Sequence, residues 1–226
     1  MAPKVVITGW SRGGLGYVFE LLRSAGHDVG TTFSAVETEQ EFDSCLRSAR
    51  TIEISSGFVP FMLHPALKHT EFYFVFRDPM RVLNSLTFLG YFRHEKKSYP
   101  QRLSVRYLKR GRQHRGYPVR FSCYYLLAWY RHYYNHCKTL NRKINIIRVE
   151  NGNKRILKNL GFSVSSVPYV DSNINASYCK QILTPNALIQ PSKRIMKKLL
   201  LVSQYHHPLW LPRGGHAHYV NPDWHT

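Results

Sequence analysis

Acidic residues are scarce in this chain of 226 residues. Thirteen Asp and Glu stand against 32 Lys and Arg, so the formal net charge is +19. A protein with this imbalance is expected to meet an anionic partner, such as nucleic acid, an acidic glycan or a phosphorylated cofactor. The alternative is a generally basic surface that serves only solubility.

Long apolar runs and paired cysteines are also missing. No stretch of about 18 apolar residues occurs, so we expect no membrane span. The first predicted strand begins almost at the N-terminus, which leaves no room for a signal peptide. The four cysteines, Cys45, Cys123, Cys137 and Cys179, lack C-x-x-C spacing, which is typical of reduced thiols. Reduced thiols are typical of the cytoplasm, where we expect this protein to lie. The twelve histidines show no ligand spacing, so we expect no metal site.

Apolar residues make up 43% of the chain, enough for one domain over residues 1–226. Short apolar runs alternate with helical patterns, which predicts an α/β fold with a largely parallel sheet. The predicted strands are 5–7, 27–32, 51–54, 71–76 and 144–149. The predicted helices are 15–25, 35–50, 79–92, 122–140, 154–160 and a basic one that starts at 191. The connection 58–67 is expected to be partly helical.

Glycines crowd the turn between the first strand and the first helix, at Gly9, Gly13, Gly14 and Gly16. A strand, a glycine-rich turn and a helix start form a cradle for anions. Backbone N–H groups point out of the turn, and the helix dipole adds about half a positive charge. A tight packing turn that binds no ligand is the alternative.

This turn lacks the residues of an ATP loop. Gly9 and Gly14 have the spacing of G-x-x-x-x-G-K-[ST], but Leu15 and Gly16 stand where Lys and Ser or Thr belong. The magnesium ligand and the terminal-phosphate lysine are therefore absent, and G-x-G-x-x-G does not fit either. Arg12 supplies the charge instead, which suits an anhydride bound without metal.

A second candidate site follows the apolar strand 71–76. Arg77 stands at its carboxyl end, where ligands of open α/β sheets bind. Asp78 is expected to cap the next helix and Pro79 to be its first residue. Ser85 lies further along that helix. A surface arginine with no ligand is the alternative for Arg77.

Residues 93–120 differ from the rest of the chain. They contain ten Lys and Arg, one acidic residue and three tyrosines, with no long apolar periodicity. We expect an excursion or lid rather than core. Basic residues interleaved with tyrosines can also grip nucleic acid. A solvated loop is the third interpretation.

Taken in order, these features resemble the sulfotransferase family that uses 3′-phosphoadenosine 5′-phosphosulfate (PAPS). The segment 9–17 looks like the family's phosphosulfate loop, G-x-x-R-S-G-T. Arg77-Asp78-Pro79 with Ser85 looks like its 3′-phosphate motif, the most specific part of the likeness. Further similarities are Trp129 with Tyr133, Arg148-Val149-Glu150, Leu160-Gly161 and Leu183-Thr184-Pro185.

The resemblance implies a three-layer α/β/α, P-loop-like fold. It also implies that the protein transfers a sulfuryl group from PAPS to a hydroxyl without a metal, and that 3′-phosphoadenosine 5′-phosphate (PAP) is the product. The acceptor it favours is a carbohydrate, such as an acidic glycan. Arg12 would be catalytic and would bind the 5′ group, and Arg77 with Ser85 would bind the 3′-phosphate. The remaining loop residues would bind through backbone amides: Gly13, Gly14, Leu15, Gly16 and Tyr17. Gly13 and Leu15 replace the family's usual Ser and Thr.

The resemblance also implies a general base near the end of strand 51–54. Glu53 is the first candidate, Glu37 the alternative and His64 the third. A structural carboxylate is the competing interpretation of Glu53. For the whole chain, a nucleic-acid-binding protein or a non-catalytic nucleotide binder on the same scaffold is the alternative function. A nucleotide kinase is disfavoured by the missing Lys and Ser or Thr.

Overall fold

The computed structural model describes residues 2–89, 91, 99–107, 118–162 and 170. Within these ranges the strands are Val5–Gly9 (β1), Val29–Gly30 (β2), Ile52–Ile54 (β3), Glu71–Phe76 (β4) and Asn145–Arg148 (β5). They form one sheet in the order β2-β3-β1-β4-β5, and all four neighbouring pairs are parallel. The five predicted strand regions are confirmed, and β4 has the predicted bounds.

Six α-helices surround the sheet within the described part of the chain. They are Leu15–Ser24 (α1), Glu39–Leu46 (α2), Pro79–Phe88 (α3), Tyr99–Tyr107 (α4), Pro118–Thr139 (α5) and Asn153–Asn159 (α6). The connection 58–67 contains two 3-10 helices, Ser56–Phe61 and Pro65–Leu67. None of the helices in the described ranges is long and apolar enough to cross a membrane.

Helices cover both faces of the sheet. On one face, Val18 and Leu21 of α1 and Ile156 of α6 pack with Ile7 and Val75 of the strands. The other face carries a larger, aromatic cluster whose members include Val6, Phe42, Phe72, Phe74, Leu86 and Trp129. The architecture is therefore three-layer α/β/α with a parallel central sheet, as expected.

Two predicted segments need correction. The helix predicted over 35–50 is shorter, because Thr38 starts α2 with a capping box: its hydroxyl accepts from the Glu41 N–H, and the Glu41 carboxylate accepts from the Thr38 N–H. The excursion predicted over 93–120 contains α4, whose Leu103 and Ser104 are buried. Residues 118–120 belong to α5.

The final helix predicted from 191, the tail and Cys179 lie outside the described residues, as do 92–98 and 108–117 of the basic segment.

The strand order creates a switch point at the centre of the sheet. From β1 the chain builds β2 and β3 on one side, then crosses over to build β4 and β5 on the other. In open α/β sheets, ligands bind in the crevice outside the carboxyl ends of the strands at this point. Here that crevice lies beyond Gly9 and Phe76, so the loop 10–14 and Arg77 both begin at it.

Candidate active site

The loop after β1 is anchored in the core by Trp10. Its side chain is fully buried, packs edge-on against Phe74 with ring centroids 5.6 Å apart, and donates from Nε1 to the Leu126 carbonyl at 2.9 Å. The Gly13 N–H closes the turn on the Trp10 carbonyl at 2.8 Å. A Cβ at position 13 would lie 2.8 Å from that same oxygen, so the turn as built accepts only glycine.

Two residues of the loop adopt left-handed backbone conformations. Gly14 has φ of 103°, and Arg12 has φ of 68°, which is unusual for a residue with a side chain. The Arg12 side chain is held in place by Ser85, since its Nε donates to the Ser85 Oγ at 3.0 Å. Backbone strain of this kind clusters at ligand-binding positions.

The start of α1 has the features of an anion site. Gly14 is the N-cap, and its carbonyl accepts from the Val18 N–H at 3.1 Å. No side chain of the described residues caps this end, and the first turn contains no acidic residue. The first-turn amides and the positive end of the helix dipole therefore favour a negative ligand.

The side chains at positions 15 and 17 turn away from the loop. Leu15 is half-buried and packs on the apolar cluster that includes residues of α1 and α6. Tyr17 is buried in the same cluster, and its hydroxyl bonds to the Asn153 side chain. Leu15 and Tyr17 can therefore serve a ligand only through their backbone amides, and the exposed Gly16 likewise has only its backbone to offer.

Helix α5 braces the loop and the segment after β3. The Ser11 N–H donates to the Tyr125 hydroxyl at 3.1 Å, and Trp129 donates from Nε1 to the Ser56 carbonyl at 3.2 Å. The hydroxyls of Ser11 and Ser56 lie 3.1 Å apart. Burial raises the pKa of Tyr125 to about 12, so it is a neutral phenol at pH 7. Helical periodicity alone cannot reveal which loops the aromatic side chains of α5 contact.

The second candidate motif, Arg77 to Ser85, begins at the carboxyl end of β4, next to the glycine loop that follows β1. Arg77 is half-buried at the end of β4. The Asp78 carbonyl accepts from the Val82 N–H at 3.1 Å, which confirms Asp78 at the N-cap position of α3. The Asp78 N–H in turn donates to the Glu150 Oε1 at 2.8 Å. The glycine loop and the segment 77–85 thus meet at one edge of the sheet, through the contact of Arg12 with Ser85.

Arg148 brings another positive charge to this edge. It ends β5, is only 5% exposed, and its guanidinium lies over the Phe76 ring at 4.8 Å from the centroid. Burial lowers its pKa, while the nearby Glu150 carboxylate acts in the opposite direction.

Glu53 lies in the interior of the protein and not at the edge. It is fully buried, and its carboxylate accepts from the Thr32 N–H (3.0 Å), the Thr32 hydroxyl (2.9 Å) and the Arg50 N–H (2.7 Å). Burial raises the pKa of Glu53, and these hydrogen bonds counteract part of that effect. The carboxylate joins β2 to the turn before β3, a role that agrees with the structural interpretation of Glu53.

Glu37 is more accessible, with a side chain that is 26% exposed. Its carboxylate accepts from the Arg102 Nε at 2.6 Å. Its carbonyl accepts from Arg106 (2.7 Å) and from the Tyr107 hydroxyl (2.8 Å), so α4 fixes the loop after β2. Tyr99 of α4 also donates to the preceding carbonyl, that of Val36, at 2.8 Å.

The third candidate, His64, is engaged on both ring nitrogens. Its Nε2 lies 3.2 Å from an Asp43 carboxylate oxygen, and its Nδ1 accepts from the Ala66 N–H at 3.3 Å. Over the described residues, no group of three or more His, Cys, Asp or Glu is placed to hold a metal ion.

Comparison with solved structures shows a distant similarity. The chain is similar to the solved sulfotransferase from Alicyclobacillus acidocaldarius, with 14% identity, a TM-score of 0.45, and an alignment that covers 89% of this chain and 91% of that chain. No family model matches the chain, and no curated protein matches it. A likeness this distant leaves the reaction to be argued from the residues of the site.

Proposed function

We propose that this protein is a sulfotransferase that takes the sulfuryl group of PAPS and transfers it to a hydroxyl acceptor. The observation that supports this most is the hydrogen bond from Arg12 to Ser85, two residues 73 positions apart. It joins the glycine loop to the R-D-P helix at the switch point of the sheet. One ligand with two separate anionic groups would use both motifs.

The 5′ end of the donor belongs at the start of α1. Backbone amides of residues 13–17 would bind the phosphosulfate, with Arg12 as the counter-charge. Arg12 would also stabilise charge on the moving sulfuryl group, where the loss of one donor costs about 3–4 kcal/mol. The absence of a lysine and of a hydroxyl at positions 15 and 16 is compatible with this ligand, because a phosphosulfate requires no magnesium.

The 3′-phosphate belongs with Arg77 and Ser85. A guanidinium can bind a phosphate with two parallel hydrogen bonds. The Ser85 hydroxyl already accepts a hydrogen bond from Arg12, so its own proton can be donated to a phosphate oxygen. This second anion site is what separates a PAPS enzyme from a protein that binds a simple 5′-nucleotide.

The reaction is an in-line displacement at sulfur. A bond forms between the acceptor oxygen and sulfur as the bond from sulfur to the 5′-phosphate oxygen breaks. The acceptor proton passes to a general base, and PAP leaves with the electron pair of the broken bond. No metal is part of this scheme.

For the base, the contacts favour Glu37 over Glu53. Glu53 is sealed from any acceptor by full burial and by its three hydrogen bonds. Glu37 is partly exposed. Its neighbour Val36 accepts a hydrogen bond from Tyr99, whose hydroxyl lies against Gly57 beside the Ser56 that contacts the loop. These contacts link the loop that carries Glu37 to the loop that carries Arg12.

The acceptor we propose is an anionic carbohydrate, because the net charge of +19 exceeds what one nucleotide requires. We also propose the basic segment 93–120 as the part that faces the acceptor or closes over the nucleotide. The proposed location is the cytoplasm.

Thermal-shift titration tests the donor assignment. We expect PAP to raise the melting temperature of the wild type at concentrations where 5′-AMP has little effect, because only PAP fills the second anion site. Arg12→Ala should abolish most of the shift. Arg23→Ala, which removes an exposed arginine at the far end of α1, is the matched control and should behave like the wild type.

Equal stabilisation by PAP and 5′-AMP would contradict the donor assignment. The nucleic-acid alternative predicts strong, salt-dependent retention on DNA with no effect of either nucleotide. Transfer of labelled sulfate from PAPS to a panel of hydroxylated glycans, with a chelator present, then tests the reaction itself.

A further inference from the structure

Glu150 is an exposed residue whose side chain bonds to the backbone just after the neighbouring strand, β4. Its Oε1 accepts from the backbone N–H of Asp78 at 2.8 Å, a contact between residues 72 positions apart. The N–H of Asp78 belongs to the peptide that joins Arg77 to Asp78. Glu150 therefore restrains one of the two peptide planes that flank the Arg77 Cα.

The position of Glu150 is itself fixed by the sheet. Phe76 and Arg148 are register partners in the parallel pair β4·β5, so both strands end at the same level. The 3-10 helix Val149–Asn151 follows at once and carries Glu150 towards the start of α3. The Arg148 guanidinium is stacked on Phe76, and it lies near enough to Glu150 for that carboxylate to act on the pKa of Arg148 in the raising direction, against the effect of burial.

The exposure of Glu150 matters for its role. A charged hydrogen bond on the surface contributes little to stability, because water replaces it readily. A carboxylate is also not needed to begin α3, since Asp78 and Pro79 already specify that start. What this contact adds is a fixed direction for the chain at Arg77.

We propose that Glu150 is a positioning residue that orients Arg77 for the 3′-phosphate of the donor, and so determines the preference for a 3′-phosphorylated nucleotide. This inference rests on the proposed function. Glu150 does not touch the ligand. It acts through the Arg77–Asp78 peptide.

The test compares the affinities for PAP and 5′-AMP, measured by calorimetry, in the wild type and in Glu150→Ala and Glu150→Gln. We expect Glu150→Ala to weaken PAP binding about tenfold while 5′-AMP binding changes less than twofold, because only the 3′-phosphate depends on the direction of Arg77. Glu150→Gln keeps an acceptor oxygen for the Asp78 N–H and should keep most of the preference.

The Glu150→Gln variant distinguishes the effect of the hydrogen bond to the Asp78 N–H from the effect of the negative charge on Glu150. If the negative charge alone mattered, both substitutions would shift PAP and 5′-AMP affinity alike, and that result would overturn the inference. So would an unchanged preference in Glu150→Ala. Glu39→Ala, which removes an exposed carboxylate from α2, controls for net charge, and melting curves without ligand check that each variant is folded.

The two proposals fail in different ways. A wild type that binds PAP and 5′-AMP equally overturns the proposed function and this inference with it. A wild type that prefers PAP, with a Glu150→Ala variant that prefers it equally, overturns the inference alone.

Discussion

Arg12 has a strained backbone and carries the charge that we propose for the donor site. Its φ of 68° lies in the region that glycine adopts freely and other residues rarely do. Because this backbone conformation is unfavourable for an arginine, we propose that the guanidinium is needed for the ligand. In this conformation the Arg12 side chain forms a hydrogen bond with Ser85.

Arg12→Gly should therefore weaken PAP binding while leaving the stability of the protein nearly unchanged. We expect PAP affinity to fall by about 10–100-fold, the worth of a charge-assisted contact. The free energy of unfolding should stay within about 1 kcal/mol of the wild type, because relief of the left-handed strain offsets the lost Ser85 contact and the added freedom of glycine. Calorimetry and chemical denaturation measure the two quantities.

Arg12→Ala is the matched variant. It should lose binding to the same degree, yet be less stable than Arg12→Gly by about 1 kcal/mol, since alanine keeps the strain without the hydrogen bond. If the Arg12→Gly variant binds PAP as tightly as the wild type, Arg12 is not part of the binding site.

Among the elements, β4 and the helix stops were the most predictable. An unbroken apolar run defines β4, and glycines with φ of 84° and 79° follow α1 and α6 at Gly26 and Gly161. Helix α4 was missed because its buried positions, Pro100, Leu103 and Ser104, lie among basic residues that resemble a solvated loop. Pairings such as Arg12 with Ser85 or Asp78 with Glu150 join distant segments, and no local pattern encodes them.

The two candidates for the general base lie in different structural elements. Glu53 lies within β3, whereas Glu37 lies in the loop that α4 holds in place. Glu37→Gln should lower kcat by about 10²–10⁴ with PAP affinity unchanged, because only proton removal from the acceptor is lost. Glu53→Gln should instead lower stability by about 1–3 kcal/mol, because an amide nitrogen would face an N–H donor of Thr32 or Arg50.

The two variants are compared through transfer assays and melting curves on the same preparations. If Glu53→Gln lowers kcat without loss of stability and Glu37→Gln keeps the wild-type kcat, Glu53 rather than Glu37 is the general base.

At the scale of the whole molecule, the parallel sheet determines where ligands can bind. In the order β2-β3-β1-β4-β5, the switch point lies between β1 and β4, where the chain stops adding strands on one side of β1 and starts adding them on the other. Both arginine motifs begin there. The sequence could predict a parallel α/β fold and the separate motifs, but the meeting of Arg12 and Ser85 depends on this strand order. The charge of +19 is a property of the whole chain and points to the class of partner rather than to a site.

The central claim is that one nucleotide spans this crevice, with its 3′-phosphate on Arg77. A thermodynamic cycle tests it most directly: the binding free energies of PAP and 5′-AMP are measured for the wild type and for Arg77→Ala. We predict a coupling of about 2 kcal/mol between the arginine and the 3′-phosphate, as for other close charge pairs. A coupling within about 0.5 kcal/mol of zero would contradict the account, because Arg77 and the 3′-phosphate would then act independently.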